Sequence, residues 1–291
     1  MEPEDIKNIE DINEQPVESV VPNATANQPV SVWTSGGVQH QKDELVTEVP
    51  VALVYNGISH AVMMATPQEL QPFAIGFSLS ERIVKAASDI YDIEIDASDA
   101  AGVQILLTVS AESFSHLKDR RRSLSGRTGC GLCGAESLQQ VCLPVDPIDS
   151  CLKISHHSVD RACRELEQHQ PLQSLTGGLH AAAWCNLQGE LVRVYEDVGR
   201  HNALDKLIGW LAQTGSTDYE QSPENGFLLM SSRASYEIVQ KAAISGIALL
   251  AAVSAPTSFA VEIAERANIT LIGFTRANRH VVYTQPQRLI D

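Results

Sequence analysis

Cysteine is absent from the first 129 of the 291 residues, so no disulfide framework staples the whole chain. Long apolar runs are missing too: none approaches the roughly 18 residues a membrane span needs. The acidic, polar start resembles neither a secretory signal nor a transit peptide, and a cytoplasmic protein with free thiols is the expectation. Basic residues are in deficit, with 21 Lys and Arg against 36 Asp and Glu and a net charge of −15. That balance argues against general nucleic-acid binding, where a basic surface supplies most of the affinity. Neither an internal repeat nor a low-complexity run is present.

What remains is the composition of a globular protein, 44% hydrophobic, long enough for two domains or one large one. The first twenty residues hold seven acids and one base, Lys7, so they carry −6 and leave −9 elsewhere. Low apolar content and Pro16, Pro22 and Pro29 predict a disordered acidic tail over 1–29, with order starting near Val30. Val49 to Tyr55 and Ile58 to Ala65 read as strands of a hairpin, because Asn56-Gly57 between them suits a turn with positive φ at both positions. Thr66-Pro67-Gln68-Glu69 reads as the capping box of a helix running to about Val84, with Pro72 kinking it or delaying its start. Two more strands (Ile90 to Ile95, Val103 to Val109) and a basic helix (Phe114 to Leu124) complete a small α+β domain over 30–125. Residues 126–155 lack periodicity and read as a mobile loop. From about His157 helices and strands alternate, which predicts a second, α/β domain over 156–291 with a mixed, mostly parallel sheet.

The loop contains Gly129-Cys130-Gly131-Leu132-Cys133-Gly134, preceded by Lys118, Arg120, Arg121, Arg122 and Arg127. Neighbouring cations favour the reactive thiolate. Four readings of the cysteine pair stay open on the residues alone. Structural zinc needs four ligands; a second Cys-x-x-Cys is absent, although Cys142, Cys151, His156 or His157 could complete a set. A thioredoxin-like dithiol follows a strand and opens a helix, whereas this pair follows a helix. The thiols could be inert. Or a glycine-freed loop could carry sulfur as a persulfide from a donor to an acceptor.

Taken together, Arg120-Arg121-Arg122 and Gly126 to Gly134 resemble the signature of the formate dehydrogenase accessory sulfurtransferases, the FdhD family. Val49 to Gly57, Phe73 to Phe77, His180 to Trp184, Glu196 to Lys206 and Ser231 to Glu237 resemble further family blocks in family order. The resemblance implies a cytoplasmic homodimer that accepts persulfide sulfur from a cysteine desulfurase. It would transfer that sulfur to the molybdenum bis-molybdopterin guanine dinucleotide cofactor before the cofactor enters formate dehydrogenase. Cys130 would bear the persulfide, with Cys133 as its partner. The larger domain would have a cytidine-deaminase-like fold. Deamination itself is not expected: a zinc deaminase needs His-x-Glu and Pro-Cys-x-x-Cys, and this chain has no His-x-Glu and places Gly129 before Cys130. The alternative function is a zinc-stabilised chaperone that ferries cofactor without moving sulfur.

Phe274, Thr275, Arg276, Ala277, Asn278 and Arg279 would bind the cofactor by the same resemblance. The chemistry agrees, since two arginines can hold phosphates bidentately and a loop leaving the carboxyl end of a strand is where open α/β sheets bind ligands. Asn278 stands where the family often has glycine, and asparagine tolerates left-handed backbone. Three other segments attract attention. Thr176 to His180 is a glycine turn with N–H groups for an anion, or an ordinary turn. Glu196, Asp197, Arg200 and His201 concentrate titratable groups where a strand enters a helix, with Asp197 a candidate N-cap. Ser231, Ser232 and Arg233 suit an anion, and Ser235 a cap.

Overall fold

The computed structural model describes residues 21–124, 144–214 and 222–291. The cysteine motif from Gly126 to Gly134, Cys142 and tail residues 1–20 lie outside them, as do the side chains of Arg120, Arg121 and Arg122. Among the described residues no helix is long and apolar enough to cross a membrane.

Order begins earlier than composition suggests. Strands β1 (Thr25–Thr34) and β2 (Gly37–Val46) form an antiparallel ribbon, in full register from Thr25↔Val46 to Thr34↔Gly37. The tail boundary at 29 is therefore corrected. Pro29 is accommodated because a two-stranded ribbon leaves one side of each strand free of ladder bonds. A four-stranded sheet follows, ordered β4 (Ile58–Ala65), β3 (Val49–Tyr55), β6 (Val103–Val109), β5 (Ile90–Asp96). Its first hairpin turns through Asn56 and Gly57, at φ 43° and 80° as expected. Helix α1 (Leu70–Ser80) packs on this sheet, and α2 (Ala111–Leu124) follows it.

The capping box is corrected too. Glu69 adopts left-handed backbone before α1 and no side chain caps the helix. Thr66 instead bonds to the other half of the chain, its Oγ1 accepting from the Val198 N–H at 3.2 Å. Pro72 falls in the first turn of α1, where its missing N–H needs no intrahelical partner, and the helix stops at Ser80 rather than at Val84.

A six-stranded sheet organises the remainder, in the order β13 (Arg279–Val282), β12 (Thr270–Arg276), β11 (Leu249–Ala252), β10 (Gly226–Met230), β8 (His180–Asn186), β9 (Leu191–Asp197). Four strands (β9 to β12) run in one direction, and β8 and β13 oppose them, so the mixed sheet has parallel ladders only at β10–β11–β12. Period-two alternation gives it two apolar faces. Leu228 and Met230 pack under α5 (Arg200–Thr214), α6 (Tyr236–Ile244) and α7 (Ser258–Arg266). Phe227 and Leu229 pack under α3 (His156–Glu165), and α4 (Pro171–Thr176) follows α3. Ser155 caps α3 by accepting from the Ser158 N–H at 3.0 Å. Short strands β7 (Ile154–Ser155) and β14 (Leu289–Ile290) pair in parallel near the C-terminus.

The two sheets are joined where α1 crosses α5 through glycines. A Cβ on Gly76 would stand 2.7 Å from Gly209 N, and one on Gly209 would stand 2.9 Å from Gly76 N; both distances are below any real Cβ contact. Buried ions flank the crossing. Lys206 Nζ lies 2.7 Å from Asp197, and both side chains are fully buried. Lys241 Nζ lies 2.9 Å from Asp205 and 3.0 Å from Glu81, and donates to Ser80 Oγ at 2.8 Å. Burial pulls the Lys241 ammonium pKa down, but the two carboxylates outweigh it and hold the pKa above the usual value.

Candidate functional site

Strands β9 to β12 share a direction, so their carboxyl ends (Asp197, Met230, Ala252 and Arg276) line one edge of the sheet, and the antiparallel β8 starts there at His180. The four segments singled out in the sequence meet at this edge: Thr176 to His180, Glu196 to His201, Ser231 to Arg233 and Phe274 to Arg279. Ser231 is locked to the start of β8, its N–H donating to Ala181 O at 3.0 Å and its Oγ accepting from the Ala181 N–H at 2.7 Å. From β12 to β8 is three strand spacings, about 14 Å.

The Phe274–Arg279 segment is less of a loop than expected. Strand β12 continues through Arg276, with a register shift between Gly273 and Arg276, and turns at Ala277-Asn278 into β13. Phe274 and Asn278 have φ of 51° and 62°, so Asn278 does supply the left-handed backbone asked of it. Helix α3 anchors the turn from one side. Thr275 is fully buried, and its carbonyl accepts from Cys163 Sγ at 3.0 Å. The Asn278 N–H donates to Asp160 Oδ1 at 2.6 Å, while Arg164 holds the other Asp160 oxygen at 2.8 Å. Arg276 and Arg279 are exposed, stand opposite each other in the ladder and have no ion-pair partner among the described residues. Like charges directly across a ladder repel; an anion between the two guanidiniums would remove that cost.

Other candidates are structural. Asp197 accepts from the N–H groups of Gly199 (2.9 Å) and Thr66 (3.1 Å) and from Asn202 Nδ2 (2.9 Å). It is not the N-cap expected, since α5 starts at Arg200 and Asp197 takes no backbone N–H of its first turn; it ties the two sheets together instead. Burial pulls the Lys206 pKa below its usual value, against the pull of Asp197. Glu196 accepts from the Leu172 and Gln173 N–H groups at 3.0 and 2.7 Å, and His201 pairs with Glu237 at 2.8 Å. Ser235 precedes α6 without a side-chain cap bond. Arg200 keeps a buried Nε that has no hydrogen-bond partner among the described residues.

His156, weighed above as a zinc ligand, pairs with His280: Nδ1 to Nε2 is 2.7 Å and the rings stack at 4.9 Å. A bond between two imidazoles needs one donor and one acceptor, so they are not both charged. Burial, then His156, lowers the His280 pKa, with Asp160 opposing. Among the described residues no group of three or more His, Cys, Asp or Glu could hold a metal ion. Of the described cysteines, Cys185 is buried and Cys163 half-buried, and burial raises both thiol pKa values; Cys151 is exposed. Sequence reasoning missed two features of the edge, the His156–His280 pair and a cavity walled by Glu167, Gln170 and His180. Those histidines are 124 residues apart, so no local pattern could announce them.

The family model described as the FdhD/NarQ family matches residues 46–290. Among curated proteins, "Sulfur carrier protein FdhD" of Cupriavidus necator is 55% identical over 260 residues, spanning 89% of this chain and 88% of that protein. Among solved structures, a candidate formate dehydrogenase accessory protein from Desulfotalea psychrophila superposes with a TM-score of 0.68 at 24% identity, covering 92% of this chain and 100% of that one. At that identity the match speaks to the fold alone.

Proposed function

This chain belongs to the FdhD/NarQ family, and on that premise we propose that it is a sulfur carrier in formate dehydrogenase maturation, working by persulfide relay. The observation that carries the reading is the 55% identity to a sulfur carrier protein along nearly the whole of both chains. The Cys130 thiolate attacks the outer sulfur of a cysteine persulfide on a desulfurase. The donor S–S bond breaks, the donor cysteine leaves as thiolate, and Cys130 holds the persulfide. Cys133 then attacks the inner sulfur, forming a Cys130–Cys133 disulfide and releasing sulfide to the acceptor. The dithiol supplies the two electrons, and a cellular thiol reductant resets it. The acceptor is molybdenum in its bis-molybdopterin guanine dinucleotide form, with its phosphates on Arg276 and Arg279. The protein acts as a cytoplasmic homodimer.

Two facts support this choice of residues. The buried thiols of Cys163 and Cys185 have raised pKa values, the opposite of what a sulfur nucleophile needs. And the Arg276–Arg279 pair faces solvent on an anchored turn.

Mass spectrometry after incubation with a desulfurase and cysteine should find one added sulfur on Cys130. Cys130→Ala should lose both that sulfur and formate dehydrogenase maturation. Stoichiometric zinc without sulfur uptake would overturn the relay in favour of a zinc-stabilised chaperone. Replacing Arg276 and Arg279 together with Ala should weaken GDP binding by about tenfold or more, as expected for losing charged hydrogen bonds; unchanged affinity would move the acceptor site elsewhere.

A further inference from the structure

The opposite end of the six-stranded sheet, away from the arginine turn, carries another cavity. It has a volume of about 630 Å3 and opens beside Pro223, where the chain enters β10. That volume lies within the roughly 300–1,000 Å3 of small-molecule sites. Both halves of the molecule wall it: α1, the turn after it and α2 on one side, α5 and α6 on the other. Ile83, Ile208 and Leu211 are buried and give it an aliphatic floor, with Ile244 beside them.

The unspent polar groups of its wall are donors. Helices α1 and α6 both end here, and their last carbonyls are already taken. Ser78 O accepts from the Ile83 and Val84 N–H groups and Leu79 O from Arg82, while Ala242 O accepts from Ile247 and Ala243 O from Gly246. Ser113 accepts from Ser110 Oγ at 2.9 Å, which leaves its own proton to donate. Ser245 Oγ is buried and has no hydrogen-bond partner among the described residues; such a hydroxyl is costly unless something satisfies it. At the mouth, Lys85 and Glu112 pair at 2.7 Å and cancel each other's charge. The Arg82 guanidinium has no partner among the described residues. Arg82 also stands at φ 53°, the left-handed position after a helix that glycine usually fills. A long cation is thus held where any side chain carries a backbone cost.

One unpaired guanidinium, two hydroxyl donors and an aliphatic floor suit an apolar monoanion; a dianion would leave one charge unmatched. We propose that this cavity binds a monocarboxylate with an aliphatic tail. Arg82 and Ser245 hold the carboxylate, and the tail lies on Ile83, Ile208, Leu211 and Ile244. The site is separate from the cysteine pair and from the arginine turn, and it stands whether or not the sulfur relay does. Because its walls come from both halves of the molecule, an occupant bridges them.

Titration calorimetry of the full chain with hexanoate, octanoate and decanoate, each below its micelle concentration, tests both parts of the site. Binding should be one to one and should tighten about fourfold per added methylene, as expected for burying each CH2. Decanol, with the same tail and no charge, should bind about tenfold more weakly than decanoate, and decylammonium more weakly still. Arg82→Gln, a change at an exposed position, should weaken decanoate about tenfold and leave decanol unchanged. Ala212→Trp, which puts a bulky ring into the cavity from α5, should abolish binding of all three acids while the helical circular dichroism stays that of wild type. Absence of saturable binding, an affinity indifferent to chain length, equal binding of decanoate and decylammonium, or decanoate unaffected by Arg82→Gln would each overturn the inference. So would a folded Ala212→Trp that binds decanoate as tightly as wild type.

Discussion

Lys206→Met probes the joint between the two sheets. Lys206 Nζ lies 2.7 Å from Asp197 and donates to the carbonyls of Thr66 (3.3 Å) and Glu196 (3.2 Å). Methionine fills similar volume, so packing is nearly conserved and the loss is electrostatic. Breaking a fully buried pair by removing one partner costs about 3–5 kcal/mol. Asp197 would keep three donors, from Thr66, Gly199 and Asn202, which places the cost near the low end, about 3 kcal/mol. With a denaturant slope of about 3 kcal/mol/M, the urea midpoint should fall by about 1 M. Trp184 is fully buried in the core under α5, and its fluorescence reports the transition. Adding Asp197→Asn should recover part of the loss, with a coupling of at least about 1 kcal/mol. A midpoint shift under about 0.3 M, or strict additivity of the two changes, would refute the reasoning.

Gly209→Ala should destabilise by about 2–3 kcal/mol through overpacking against α1, read in the same urea assay; a neutral result would mean that the helices part freely. Burial lowers the pKa of His180 and His280 below the ordinary value of 6.5, so below about pH 6.5 the unfolded chain takes up more protons and stability falls with pH. Thermal melts between pH 7.5 and 5.5 should show that fall, and His280→Gln should flatten it; a variant with an unchanged slope would remove His280 from the account. Brief alkylation of the native protein should modify Cys151 and spare Cys185, whose thiol is buried and raised in pKa; peptide mapping that finds Cys185 labelled first would contradict the burial described.

Features set by short-range chemistry were legible in the sequence. Asn56-Gly57 fixes its turn by backbone preference alone, and the helix–strand alternation after His157 forecasts the large sheet. The arginine turn and its left-handed Asn278 were legible as well, because strand-end position and residue type both act locally. Thr66 misled because its neighbours satisfy a capping pattern, while a buried carboxylate 131 residues away offers the stronger bonds. The β1–β2 ribbon was hidden by its composition: a solvated two-stranded arm needs no apolar face toward a core. The role of Glu196 to Lys206 was only half visible. Its charges suggested ligand chemistry, and most of them hold the molecule together.

The glycine crossing of α1 and α5 bears on what counts as a unit here. The helices meet backbone to backbone, and the Lys241 cage beside them draws its partners from both sides: Ser80 and Glu81 from one, Asp205 from the other. Neither side could be expressed alone without baring a half-filled ion cage. Conversely, a chain nicked between 124 and 144 would be held as a fragment pair by noncovalent contacts. What ties the two sheets into one body is the helix crossing and the buried lysine pairs that span it.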